Sequence, residues 1–256
     1  MSLTISAYLK CPNRASQRLA GMTLLLALGL GAGCGSSGSS GNGGTDPGQM
    51  QMPGTEPKIG MTYTGDGTYY GATGGGACSY DPTPNNLMVA AMNSPQWANS
   101  SVCGMCVEVT GPKGEANKIV IRIVDLCPEC KTGDLDLSQE AFAKIADPVA
   151  GRVKISWQQV ECAVSGPLSY RFKEGSTQYW MGVQVRNSRL PINKLEVQKG
   201  GNFTAMNPES YGYYTLSSPG TGPFTFRMTA TTGEQVTETG VALKDSQVVQ
   251  GSQQFP

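Results

Sequence analysis

Histidine is missing from all 256 residues. Its absence removes the side chain most often used as a general base near neutral pH, and it removes imidazole as a zinc ligand. Any acid–base chemistry must then come from carboxylates. An excess of charge is missing too, with 19 basic against 19 acidic residues. Nothing favours electrostatic capture of nucleic acid. Long apolar runs are scarce. The main one, Leu19 to Leu30, is too short to span a bilayer as a stable helix. Charged residues make up only 15% of the chain, beside 34 glycines and 10 tyrosines. Such a composition points to a β-rich, loop-rich exported chain.

The apolar run follows Lys10, Arg14 and Arg18, as the core of an export signal would. Gly31-Ala32-Gly33-Cys34 comes next and is similar to a bacterial lipoprotein signal, with Cys34 as the lipidated residue. Gly31 stands where an aliphatic residue is usual, so plain secretion with nearby cleavage is the alternative. Residues 1–34 are therefore read as the signal, and 35–58 as a flexible Gly/Ser-rich tether without a core of its own. Of the eight cysteines, Cys11 and Cys34 fall in the signal. Six remain, at Cys78, Cys103, Cys106, Cys127, Cys130 and Cys162. An even number in an exported chain reads as a disulfide framework. Cys127-Pro-Glu-Cys130 is a candidate structural disulfide rather than a redox pair, because no βαβ unit surrounds it.

Strands are expected over Gly60–Thr64, Leu87–Asn93, Cys106–Thr110, Lys118–Val124 and Val153–Val160, with a Gly/Tyr loop from Gly65 to Gly76. Ile119, Ile121 and Ile123 share one face. Ser138 is a fitting N-cap for a short helix bearing Phe142 and Ile145. About six short strands and one helix suggest a small closed barrel over 59–163. After the linker Ser165-Gly166-Pro167 the cysteines stop, and strand patterns recur about every ten residues. That spacing suggests a β-sandwich over 164–256.

The central stretch is Val124 to Ser138. It places Asp125 at the end of an apolar strand and Asp136 just before the helix. Each alone reads as a turn or cap residue. Together, bridged by the cysteine pair, they suggest a polar groove. In the strand Tyr179–Arg186, Trp180 alternates onto a polar face with Gly182, Gln184 and Arg186. There it either packs beneath a loop or offers its indole to the apolar face of a sugar ring.

Thr62-Tyr-Thr-Gly, Gly76-Ala-Cys, Val124-Asp-Leu-Cys-Pro and Leu135-Asp-Leu-Ser-Gln-Glu-Ala-Phe142 resemble the first domain of expansins. Tyr170-Arg-Phe-Lys-Glu-Gly-Ser176, Tyr179-Trp180 and Val183-Gln-Val-Arg-Asn187 resemble the second domain of bacterial expansins. The likeness runs from about residue 59 to 256. It implies an all-β chain: a six-stranded double-psi β-barrel, similar to family-45 glycoside hydrolases, followed by an immunoglobulin-like β-sandwich acting as a family-63 carbohydrate-binding module. It further implies binding to cellulose, xyloglucan or other β-glucans, and loosening of plant cell walls without cutting. No cofactor or metal is implied, and the chain is expected to be a monomer. Membrane contact would come only through the lipid anchor. By motif match Asp136 is the groove acid, with Asp125, Thr62 and Thr64 lining the same groove. Tyr179, Trp180 and Tyr211 form the aromatic row, with Lys173 beside them.

The hydrolases' base follows a Thr-x-Tyr strand, and Asp66 lies four residues after Thr62. Asp66 as base and Asp136 as acid would make a weak endo-β-glucanase. Gly65-Asp66-Gly67 otherwise reads as a turn. Two further alternatives are a peptidoglycan-acting lytic transglycosylase lipoprotein, which normally uses a histidine, and a carbohydrate-binding adhesin, which would need no polar groove.

Overall fold

The computed structural model describes residues 56–256; the signal, Cys34 and all but the end of the tether lie outside the described residues. Six strands close a barrel: β1 (Thr62–Tyr70), β2 (Val89–Asn93), β3 (Cys106–Thr110), β4 (Ile119–Cys127), β5 (Leu135–Ser138) and β6 (Val153–Val160), in the order β1-β5-β2-β4-β3-β6. The β1–β5 and β2–β4 pairs are parallel and the others antiparallel. This is the arrangement of a double-psi barrel. Its interior holds Tyr63, Met92, Val107, Ile121, Ile123, Leu135, Leu137, Phe142 and Trp157. The expected isoleucine face thus points inward. Helix α1 (Gln139–Ile145) starts at Ser138, whose hydroxyl accepts from the Ala141 amide at 3.0 Å.

Three expectations in the barrel are corrected. The Gly/Tyr loop does not begin at Gly65, because β1 runs on to Tyr70. Gly65-Asp66-Gly67 is therefore not a turn, and its glycines serve close approach. A Cβ on Gly65 would lie 2.3 Å from the Gly133 carbonyl carbon, and one on Gly67 would lie 2.8 Å from Ile155 Cγ2. Next, Asp136 does not merely precede a helix; it lies within β5, a strand too short to show a period. Finally, β4 does not end at Val124. Ala90 pairs with Ile123 but Ala91 pairs with Asp125, so Val124 is an extra, bulged residue. A bulge reverses which face the following side chains take. Ile123 points into the core and Asp125 points out.

The six cysteines pair as Cys78–Cys103, Cys106–Cys162 and Cys127–Cys130. The second pair, 56 residues apart in sequence, ties β3 to the end of the barrel. Replacing both Cys106 and Cys162 by serine is expected to cost about 4 kcal/mol through the freed chain entropy. That corresponds to a melting temperature roughly 10 °C lower by calorimetry. A fall of under about 2 °C would show the unfolded chain to be constrained by other means.

Beyond residue 167 two sheets face each other. One is ordered β11-β12-β8-β7-β15: β7 (Ser169–Phe172), β8 (Trp180–Arg186), β11 (Asn207–Pro208), β12 (Tyr214–Ser217) and β15 (Val248–Gln250). The other is ordered β10-β9-β13-β14: β9 (Ile192–Lys199), β10 (Asn202–Ala205), β13 (Phe224–Ala230) and β14 (Gln235–Val241). Tyr170, Phe172, Met181 and Val183 of the first pack on Leu195, Val197, Phe226 and Met228 of the second. The sandwich matches expectation. Strands β10, β11 and β15 carry too little apolar sequence to have been read.

The barrel and the sandwich are joined by more than their linker. Gln184 Nε2 donates to the Cys78 carbonyl at 2.6 Å, and Arg186 pairs with Asp81 at 2.6 Å. Ser100 Oγ donates to the Glu209 carbonyl at 2.6 Å, and Trp97 Nε1 donates to that of Ser210 at 3.3 Å. Gln184 is consequently 1% exposed. The polar face of β8 is thus not wet throughout; the barrel covers its second half.

Candidate functional site

The groove is built by register. Thr68 of β1 pairs with Asp136 of β5, Asp136 pairs with Ala91 of β2, and Ala91 pairs with Asp125 of β4. Four adjacent strands thus set Thr68, Asp136, Ala91 and Asp125 in one row. Since neighbouring partners share a face, the row faces outward. Leu135 and Leu137 on either side of Asp136 point into the core. Ala91, between the two carboxylates, is buried. Their separation is fixed by this ladder, at about two strand spacings or 10 Å between Cα atoms, rather than by the cysteine loop.

Thr68 Oγ1 donates to Asp136 Oδ1 at 2.5 Å. Asp136 is half-buried, and desolvation raises its pKa above the ordinary 3.8. The Thr68 bond and the Arg152 charge oppose that shift, while the Glu129 and Asp125 charges add to it. Tyr70 follows on the same face of β1. Its hydroxyl is buried without a well-formed hydrogen bond, and burial first, then the nearby Asp125 charge, pushes its pKa well up. Asp125 is itself occupied: its Oδ1 accepts from the amides of Ala77 at 2.7 Å and Leu126 at 2.9 Å. Gly76 lies against that carboxylate, where a Cβ would sit 2.3 Å from Asp125 Cγ. The Gly76-Ala-Cys and Val124-Asp-Leu-Cys motifs clasp one another here, which accounts for both.

A cleft of ≈ 540 Å³ opens at the Thr68–Asp136 end of the row, lined among others by Asp66, Thr68, Glu129, Lys131, Asp136 and Arg152; Asp125 does not line it. The Cys127–Cys130 loop forms one wall, anchored by Asp134, which accepts from the amides of Asp66 at 2.7 Å and Lys131 at 3.0 Å. Asp66 thus does border the groove. Its carboxylate, however, is engaged by Lys154 at 2.6 Å and Arg152 at 3.2 Å. The Lys154 bond, chiefly, holds its pKa below 3.8. Lys154 is the β6 partner of Asp66, on the side of β1 away from β5. The carboxylate therefore leans away from Asp136.

Thr62 and Thr64 are not in the groove. Both are exposed near the start of β1, and Thr62 is six residues from Thr68, about 20 Å along an extended strand. The chain carries two similar runs, Thr62-Tyr63-Thr64 and Thr68-Tyr69-Tyr70, and only the second meets Asp136. The position four residues after Thr68 is Ala72. Thr68, Tyr70, Glu129 and Arg152 were missed in the sequence. Counting back from Gly76-Ala-Cys instead of forward from the first Thr-Tyr-Thr would have found two of them.

In the sandwich, Tyr179 lies just before β8 and is 73% exposed, so the strand's alternation does not bind it. Trp180 folds toward Lys173 over Gly182, where an added Cβ would lie 3.0 Å from the Trp180 ring and from Lys173 Cβ. Lys173 Nζ stands 5.6 Å from the Tyr211 ring centroid and 5.7 Å from that of Tyr213. The loop bearing Tyr211 is held to the barrel, since the Gly212 amide donates to Ser100 Oγ at 3.0 Å. Trp180, Lys173 and Tyr211 thus form one connected surface, with Tyr179 beside it in sequence.

The family model DPBB, described as lytic transglycolase, matches residues 88–157. The expansin YoaJ of Bacillus subtilis is 36% identical over 204 residues, covering 76% of this chain and 84% of that protein. The crystal structure of apo Clavibacter michiganensis expansin superposes with a TM-score of 0.71 at 32% identity, covering 77% of this chain and 98% of that one. A mutant of the same expansin, solved in complex with cellohexaose, gives the same TM-score, 0.71, and the same coverage.

Proposed function

The chain belongs to the expansins, and from that membership we propose that it binds cellulose and related β-glucans and loosens plant cell walls without hydrolysing them. One observation carries the non-hydrolytic reading: the carboxylate at the position expected of a base, Asp66, is tied to two cations. Inverting hydrolysis needs a second carboxylate placed to activate water on the far side of the sugar. Ala72 occupies the position four residues after the groove threonine. Asp66 has a lowered pKa, which makes it a poor proton acceptor, and Asp134 is held by two backbone amides; Glu129 stands on the exposed Cys127–Cys130 loop.

In this reading Asp136 and Thr68 grip a glucan hydroxyl or glycosidic oxygen, and the Gly76 loop keeps Asp125 in place behind them. Trp180 and Tyr211, with Tyr179, stack on sugar rings, and Lys173 steadies Tyr211. The cellohexaose bound to the Clavibacter relative supports a β-glucan as ligand. Xyloglucan and peptidoglycan are secondary candidates. The match to a lytic-transglycolase family model keeps peptidoglycan among the substrates to be tested, although a chain without histidine lacks that chemistry's usual partner for aspartate. The leading segment supports secretion or anchoring at the cell surface through Cys34.

Reducing-sugar release is the deciding measurement. Amorphous cellulose, soluble β-glucan and peptidoglycan should yield none above background, while filter paper loses tensile strength. Asp66→Ala should leave both results unchanged. Sustained sugar release that disappears in Asp66→Ala would overturn the non-hydrolytic reading.

A further inference from the structure

A second cleft, of ≈ 600 Å³, lies between barrel and sandwich, bounded by the linker residues Ala163–Ser165. Neither the groove acids nor the aromatic row line it. Its wall carries Arg122, from the outward face of β4, and Arg186, from β8. Both guanidiniums approach the ring of Tyr80, at 5.1 Å and 5.4 Å from its centroid. Their electrostatic situations differ. Arg186 is neutralised by Asp81 and also donates to Gln184 and to the Ser79 carbonyl. Arg122 joins none of the ion pairs of the described residues. Its Nε is one of four buried side-chain polar atoms there without a hydrogen-bond partner.

A buried guanidinium N–H without an acceptor is costly and uncommon. Contact with Tyr80 uses the face of the guanidinium. The Nε lies beneath the surface, so what the residue presents to the cleft is its terminal edge of two amino groups, which form no hydrogen bond among the described residues. That edge suits a planar carboxylate, which takes two parallel N–H bonds. The rest of the lining is mixed. Thr83, Asn86 and Ser188 offer hydroxyl and amide groups, and Met88 and Leu190 offer apolar surface. Hydroxyl-bonding groups beside small apolar patches are what a sugar ring requires, and the volume accommodates one or two rings.

We propose that this cleft binds a sugar carboxylate, a hexuronate unit, with Arg122 receiving the carboxylate. Isothermal titration of the full chain with glucuronate should show saturable binding, and glucose should give none. Arg122→Gln should weaken glucuronate at least tenfold. Asn86→Asp tests the site with Arg122 in place. By supplying a carboxylate to the cleft it should also weaken binding at least tenfold, and it decides the matter if Arg122→Gln fails to fold. Cellulose pull-down should not change in either variant. No glucuronate binding, binding indifferent to both substitutions, or inorganic phosphate binding as well as glucuronate would each overturn the assignment.

Discussion

Asp136→Asn is expected to lower wall loosening roughly 10- to 100-fold in creep or paper-weakening assays while leaving cellulose pull-down within about twofold of the unsubstituted protein. The binding surface proposed for Trp180 and Tyr211 lies in the other half of the molecule, so the two effects separate. A charged acceptor bonded to a sugar hydroxyl contributes about 1.5–3 kcal/mol. Losing it at Asp136 should cost 10- to 100-fold in any effect that depends on gripping the chain. Stability should move the opposite way. Burial raises the Asp136 pKa in the folded state, so the native protein holds this proton more tightly than the unfolded chain does. Such a group favours the fold below its unfolded value of 3.8, and that contribution is lost as pH rises through the raised folded-state value. Asparagine has no such penalty and can still accept from Thr68. The melting temperature of Asp136→Asn should therefore equal or exceed that of the unsubstituted protein at pH 7, and the difference should shrink toward pH 4. Loosening that survives the substitution would remove Asp136 from the mechanism.

The double substitution Trp180→Ala with Tyr211→Ala should lower cellulose affinity by roughly 100-fold. Each ring contributes about 1.5 kcal/mol by burying apolar surface against a sugar face, and together that is about two decades in Kd. Trp180 has limited freedom to lose on binding, because its ring already lies over Gly182 on the Lys173 side. Tyr211 is similarly restrained by the barrel contact at Gly212. Unchanged pull-down in a folded double variant would place binding elsewhere. Loosening should fall in parallel, since a weakly held protein seldom brings its groove to the wall.

Much of this was legible in the residues. The apolar alternation of Lys118–Val124 and Val153–Val160, the cap at Ser138 and the even cysteine count all act locally, so they appear in the sequence. The features that decide the site do not. Asp125 joins the outward row of Asp136 through a bulge at Val124, and a bulge is a property of pairing between strands, absent from β4 read alone. β5 has only four residues, Leu135–Ser138, and holds its place through partners on both sides. Thr62 and Thr68 sit in near-identical local sequence. Only the parallel register of β1 on β5 tells which of them meets Asp136. Gln184 looked solvated for the same reason, because the surface that covers it begins 106 residues earlier.

Strand β8 carries Trp180 at one end and, about 13 Å further along, Gln184 bonded to the Cys78 peptide, with Arg186 bonded to Asp81 beyond it. Cys78 is in turn cross-linked to Cys103. Tension applied at the tryptophan by a polymer that creeps under turgor therefore runs along one extended backbone and enters the barrel at a covalently braced point, with no flexible linker to stretch first. The molecule would behave under load as a stiff wedge: a polysaccharide held by the aromatic row, as proposed, would on moving displace the groove with it.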